Sequence, residues 1–301
     1  MMWTVPLPPS LLAPTARLER VATGAAWSEG PLWLPDLGVL RWSDIPNNRI
    51  LEYRPSDQSQ RVYRDQVEFT NGRTLDLDGR VVQCSHGRRR LEWDGDPAPI
   101  GIVDRWNGAR LNSPNDVVVA RDGAIWFSDP PYGITQPNEG HPGVREYGDH
   151  YVFRHDVATS TTAAMVVDVE EPNGLAFSPG EEVLYIADSS AVRRPPGVGN
   201  HHIRAYDVVD GRRCKNGRVF AVIDRGFPDG IRVDVQGNVW SSAADGVHVF
   251  APDGEELGVI PVPELVGNLC FGGPDGSDLY VAASTSIDRI PTEVRDAAQH
   301  F

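Results

Sequence analysis

The chain has 301 residues, 40% hydrophobic and 23% charged, with a net charge of −14 and a pI near 4.9. This is the composition of a soluble globular protein with ample sequence for a core, and its acidity argues against nucleic acid or an anionic membrane as partner. A small neutral substrate or a bound cation is compatible with that charge.

The N-terminal stretch "MMWTVPLPPSLLAPTARLERV" has neither a basic leader nor a continuous apolar segment, so no signal peptide is expected. No later run is apolar for long enough to span a membrane. The three cysteines, Cys84, Cys214 and Cys270, are far apart and form no Cys-x-x-Cys pair. The expectation is a cytoplasmic, disulfide-free protein without a structural zinc site.

From residue 28 onward one pattern recurs. It begins with "SEGPLWLPDLGVLRWSDIP" (28–46), followed by the strand-like runs "RILEYRPS" and "QRVYRD". "TNGRTLDLDGRVVQCSH" (70–86) opens a second unit, and "LNSPNDVVVARDGAIWFSDPPYG" (111–133) carries the opening of a third. "PNGLAFSPGEEVLYIADS" (172–189) begins a fourth, continued by "HHIRAYDVV" and "RVFAVIDR". "PDGIRVDVQGNVWSSAADG" (228–246) and "GNLCFGGPDGSDLYVAAS" (267–284) begin the last two. Each unit reads as a polar residue, a short apolar strand, a turn rich in Asp, Gly or Pro, and a second apolar strand.

The units recur about every 40 residues, with two longer intervals that imply loop insertions, and a repeat of this length built from short strands marks a β-propeller. The predicted fold is all-β: a six-bladed β-propeller with four-stranded blades. It is read as a single domain over 1–301, with its core at about 16–290. The sixth unit is short, with only "SIDRI" after its hairpin, so "ARLERVATG" (16–24) is expected to supply an outer strand and close the ring. The final "TEVRDAAQHF" is expected to form a turn of helix. A pair of β-sandwiches would not explain why every unit opens in the same way.

In a propeller the first strand of each blade lies innermost, so the six opening residues converge on one end of the central channel. They are Glu29, Asn71, Asn115, Asn173, Asp229 and Asn268. Asn-Gly and Asp-Gly pairs are also ordinary turn chemistry. Yet Ser or Gly would make turns equally well, and only carboxylates and amides occur at these positions. Two carboxylates with several amide oxygens suit a divalent cation, Ca²⁺ above all, with Mg²⁺ or Mn²⁺ as alternatives. The "DLDG" at 76–79 resembles the start of an EF-hand loop, but no Glu follows at the required spacing.

"SEGPLW", "NSPNDVVVARDGAIWFSDPPYG", "PNGLAFSP", "PDGIRVD" and "GNLCFGGPDGSDLYV", in this order, resemble the gluconolactonase/regucalcin (senescence-marker-protein) family, in its bacterial form. The likeness covers about Ala16 to Ile290. It implies a six-bladed propeller with one divalent cation in the channel, usually Ca²⁺, and hydrolysis of a small-molecule sugar lactone. It carries the metal ligands onto Glu29, Asn173 and Asp229, with Asn115 contacting metal or substrate. Animal members have an Arg where this chain has Ser113; Arg110 is a candidate replacement. The loop over 130–148 is long and resembles that of bacterial members more than animal ones.

The expected reaction polarises the lactone carbonyl at the cation while Asp229 takes a proton from attacking water. Zn²⁺ is a further candidate cation. Asn71, Asn115, His86 and Asn268 are candidate substrate contacts. A phosphotriesterase-like hydrolase and a non-enzymatic propeller with a structural cation are the alternatives. No Gly-x-Ser-x-Gly, phosphate-binding loop or dinucleotide fingerprint is present, and nothing points to an obligate protein partner. Tyr132 is read as a lid residue or part of a rigid turn. Trp42, Trp126 and Trp240 are read as packing between blades. His141, His201, His202, "RRRLEW" and "RRPPG" are read as solvent-facing.

Overall fold

The computed structural model describes residues 7–12 and 15–298. Six four-stranded antiparallel sheets succeed one another along the chain. Their first strands are Ser28–Leu34, Thr70–Leu75, Val117–Val119, Pro172–Phe177, Ile231–Val233 and Val266–Gly272. Each of these strands touches the first strand of the next sheet, and the sixth returns to the first, so the sheets are blades around a central channel. Ser28–Leu34, Pro172–Phe177 and Val266–Gly272 are buried along their whole length, whereas the outermost strand of the first blade, Ser59–Asp65, is largely exposed. Among the described residues no helix is long and apolar enough to cross a membrane.

The sixth blade is completed as the repeat pattern predicts. Glu19–Thr23 pairs antiparallel with Ser286–Pro291, Thr23 lying opposite Ser286. Trp42, Trp126 and Trp240 are almost wholly buried, as expected of packing residues. Trp126 meets Phe177 edge-on across the third and fourth blades at 5.4 Å, and Trp240 meets Phe271 across the fifth and sixth at 5.5 Å. Such edge-to-face pairs add to the burial energy of large rings. All three cysteines are free.

Three expectations need correction. The C-terminal segment is extended, not helical, as far as it is described, to residue 298. Val235 N–H donates to the Arg295 carbonyl (2.9 Å), Ala297 N–H to that of Val233 (2.8 Å), and Asp234 bridges Asp296. So short a segment could not hold a helix alone, and the edge of the fifth inner strand offers its backbone better partners. The two arginine-rich stretches are not simply solvated. Arg89 is buried, donating to the carbonyls of Leu111 (2.7 Å) and Val144 (3.1 Å), and so ties down the 130–148 loop. Arg193 contacts Glu171 at 3.6 Å and donates to Thr135 Oγ1 at 2.8 Å. His202 is likewise not in a loop: it starts the strand His202–Val209 and is half-buried.

The Asn-Gly and Asp-Gly pairs at the blade openings are not turns. Gly72 N–H donates to the Asn115 carbonyl (2.8 Å) and Gly174 N–H to that of Asp229 (3.1 Å), so these glycines lie where one blade's inner strand meets the next. A Cβ on Gly174 would stand 2.2 Å from the Asp229 carbonyl oxygen, a backbone atom with no room to retreat. Gly174→Ala is therefore expected to lower stability by about 1–3 kcal/mol, as overpacking does, and urea denaturation would measure the loss.

Candidate functional site

Irregular pairing aims the opening residues at the channel. The first blade pairs Glu29 with Ser43 and then Leu32 with Arg41, so the inner strand carries one extra residue just after Glu29. The same shift follows Thr70, Pro172 and Val266 in three other inner strands. Such bulges re-aim a side chain that strict alternation would place on a blade face. In the third and fifth blades the ladder begins only at Val117 and Ile231, two residues beyond Asn115 and Asp229. All six opening residues thus sit at or beside a break in their ladder.

A second device supports them. Asp44, Asp129 and Asp188 end the second strands of three blades and accept backbone N–H groups from the segment leading into an inner strand. Asp44 takes Ala26 (2.8 Å), Asp129 takes Asn112 (2.7 Å) and Ser113 (2.8 Å), and Asp188 takes Glu170 (3.1 Å) and Glu171 (3.2 Å). Ser113 is wholly enclosed, donating to the Pro130 carbonyl (2.7 Å) and accepting from Gly133 N–H (3.0 Å), so it pins the start of the long loop. Arg110 donates its backbone N–H to Glu146 (2.8 Å), and no polar contact links it to the opening residues.

The opening residues lie at the same end of six inner strands that surround the channel. Five of them are buried, and Asp229 alone is half-buried. Asn268 donates from Nδ2 to Glu29 Oε2 (3.1 Å) and accepts Leu269 N–H at Oδ1 (2.8 Å), which occupies both ends of its amide. Asn173 supplies a hydrogen bond to the Asp229 carboxylate. Asn71 and His86 meet at 3.3 Å, Nδ2 to Nε2, while His86 Nδ1 lies 2.9 Å from the Glu139 carbonyl. That carbonyl can only accept, so Nδ1 carries the proton, Nε2 accepts from the Asn71 amide, and Asn71 Oδ1 is left without a partner.

Sequence reasoning did not find Glu139, which the 130–148 loop brings close enough to act electrostatically on Glu29 and Asp229. Tyr132, from the short helix Tyr132–Thr135, is buried beside Glu171 and Asp229. His141 is exposed and paired with Glu68 at 2.8 Å.

The ring is short of positive charge. Burial, then repulsion from Asp116 and Glu139, pushes the Glu29 carboxyl up to about 7. Burial and the nearby Glu29 hold Asp229 well above the usual carboxylate range. Burial also lifts Glu139 to about 7. The cations within reach are already committed: Arg232 lies 3.6 Å from Asp116, and Arg193 sits beside Glu171. His86 cannot assist, because burial lowers its pKa to about 4. Its imidazole should therefore stay neutral down to about pH 4; an NMR titration showing protonation near pH 6.5 would overturn this arrangement.

The residues present fit a divalent cation. Glu29 and Asp229 repel one another, no basic side chain balances them, and the remaining ring members are amides with oxygens to offer. The opening residues offer carboxylate and amide oxygens, not the nitrogen and sulfur donors that zinc favours.

Residues 27–285 match the family model described as the SMP-30/Gluconolactonase/LRE-like region. The chain is 31% identical to a gluconolactonase of Zymomonas mobilis, over 94% of this chain and 83% of that protein. It is likewise 31% identical to a pentonolactonase of Haloferax volcanii, over 88% of this chain and 84% of that one. A solved structure of a Xanthomonas campestris gluconolactonase superposes with a TM-score of 0.86 at 40% identity, covering 94% of this chain and 91% of the other.

Proposed function

The chain belongs to the SMP-30/Gluconolactonase/LRE-like family, and we propose that it is a lactonase opening sugar lactones at the ring of polar side chains in its channel. The observation that carries this reading is the pair Glu29 and Asp229, held together in a buried ring of amides with no counter-cation of its own. Glu29, Asn173, Asp229 and Asn115 would hold a divalent cation, and their hard oxygen donors favour Ca²⁺. When bound, it supplies Lewis-acid polarisation of the lactone carbonyl and stabilises the charge that develops there.

The chain's own residues do the rest. Asp229 is the least buried carboxylate among the opening residues, and as a ligand to the cation it would be ionised and able to accept a proton. It takes the proton from the attacking water. Asn173 orients Asp229, and Asn268 holds Glu29 in place. Asn71, its amide nitrogen turned to His86, presents a free Oδ1 to a substrate hydroxyl. Asn115 contacts the substrate from the third blade. His86 acts by fixing the Asn71 amide, not by carrying protons. The amide-rich lining suits a polyhydroxylated lactone better than an apolar ester or phosphotriester.

Hydrolysis of D-glucono-1,5-lactone, followed by pH-stat after chelation and again after adding Ca²⁺, Zn²⁺, Mn²⁺ or Mg²⁺, tests this reading. Activity should fall to the spontaneous rate on chelation and return with at least one cation. A rate no higher than spontaneous with every cation would defeat it.

A further inference from the structure

The channel has a second end. Opposite the ring lies a cavity of about 500 Å³, within the size range of small-molecule sites. Leu34, Leu75, Val119 and Phe177 contribute apolar wall, and Arg73 and Arg232 also line it. The buried contact between Arg232 and Asp116 (3.6 Å) stands between this cavity and the ring, since Asp116 also acts on Glu29 and Asp229. It takes no part in the lactone reaction proposed above.

Arg73 is the unexplained residue here. It is only 2% exposed. Its Nη2 donates to Ser43 Oγ at 2.6 Å, while its Nη1 has no hydrogen-bond partner. The neighbouring carboxylates serve other arginines: Glu52 takes Arg41 (2.9 Å) and Arg61 (2.6 Å), and Asp94 takes Arg64 (2.8 Å). Two of the acids lining the cavity are engaged too. Asp76 accepts from Arg80 (2.8 Å) and Trp93 (3.1 Å), and Asp296 accepts Ala298 N–H (2.8 Å). Burial lowers the Arg73 pKa to about 10, so it remains charged at neutral pH. Asp94 attracts it electrostatically and Ser43 takes one nitrogen, but the buried Nη1 is left without an acceptor, and a buried donor left unsatisfied is costly.

We propose that this cavity binds a small monocarboxylate with an apolar body, its carboxylate received by Arg73 and its body by the aliphatic walls. A guanidinium fork matches a carboxylate in shape and charge. The acidic Asp36 and Asp76 also line the cavity, so one negative charge is favoured over two.

The test uses 4-fluorobenzoate and its neutral isostere 4-fluorobenzamide, with binding followed by ¹⁹F NMR and calorimetry on the full chain. Measurements are made both with Ca²⁺ and after chelation. The benzoate should bind in both conditions, and the amide about tenfold or more weakly, since a charge-assisted contact is lost. Arg73→Met should weaken benzoate binding to a similar degree. Val119→Trp, which narrows the cavity and leaves Arg73 intact, should weaken it. Should Arg73→Met fail to fold, the isostere pair and Val119→Trp decide the matter. Equal binding of benzoate and amide, undiminished binding by Val119→Trp, loss of binding on chelation, or no binding at all would each overturn the proposal.

Discussion

Asp229→Asn is expected to lower kcat for lactone hydrolysis by about 10²–10⁴-fold, the usual contribution of a positioned general base. The substitution keeps shape and volume, and the Asp229 backbone remains anchored through its N–H to Ser242 Oγ (2.9 Å) and its carbonyl to Gly174 N–H (3.1 Å). The fold should therefore survive, with an unchanged far-ultraviolet circular dichroism spectrum. Because an amide oxygen can still meet a cation, cation affinity should fall less than kcat does. Calorimetric Ca²⁺ titration beside pH-stat rates at saturating Ca²⁺ separates the two effects. A folded Asp229→Asn protein with near-parental turnover would remove Asp229 from the mechanism.

Glu29→Gln is expected to act in opposite directions with and without the cation. Moving a buried carboxyl from its usual 4.5 to about 7 corresponds to about 3 kcal/mol at most. The sign follows from proton binding. Between pH 4.5 and about 7 the folded chain holds the Glu29 proton more tightly than the unfolded chain, so stability falls as pH rises through that window. Asp229, raised for the same reason, adds to the slope. In chelator at pH 8, Glu29→Gln should thus be more stable than the parent by up to about 3 kcal/mol, and the pH slope should flatten. With Ca²⁺ the order reverses: the variant should gain little stabilisation from the ion and lose most activity. Urea midpoints from pH 4.5 to 8, with and without Ca²⁺, give both results; a variant less stable than the parent in chelator at pH 8 would contradict the like-charge account.

The fold was legible because each blade repeats a single pattern that local chemistry enforces. The six polar openings stood out at aligned positions, and the short sixth unit announced the need for a strand from 16–24. What left each opening ambiguous on its own was the double meaning of Asn-Gly and Asp-Gly. The same pairs that make tight turns also allow Gly72 and Gly174 to approach a neighbouring blade, and no short window distinguishes the two uses. The supporting aspartates left a readable trace: "WSD" and "FSD" close second strands in the first and third blades, and "IAD" does so in the fourth. Glu139 and Arg89 left none. They act through the 130–148 loop, whose path depends on contacts such as Arg89 with Val144, and tertiary placement of an inserted loop has no periodicity to read. Arg73 was likewise hidden, since a lone arginine in a strand says nothing of how its neighbours' charges are shared.

The clasp on the sixth blade bears on how the chain is born. Glu19–Thr23 emerges from the ribosome long before its partner, and Arg20 must wait for Asp288, 268 residues later, to make its 3.1 Å contact. Throughout synthesis this segment is a strand without a sheet, the kind of edge that invites pairing between nascent chains. Its own charges guard it meanwhile: Glu19 and Arg20 are outward-facing and exposed in the finished ring, and charged edge residues discourage such mispairing. Among the described strands of the propeller, the earliest in the chain pairs with the latest, and its charges suit it to the interval between them.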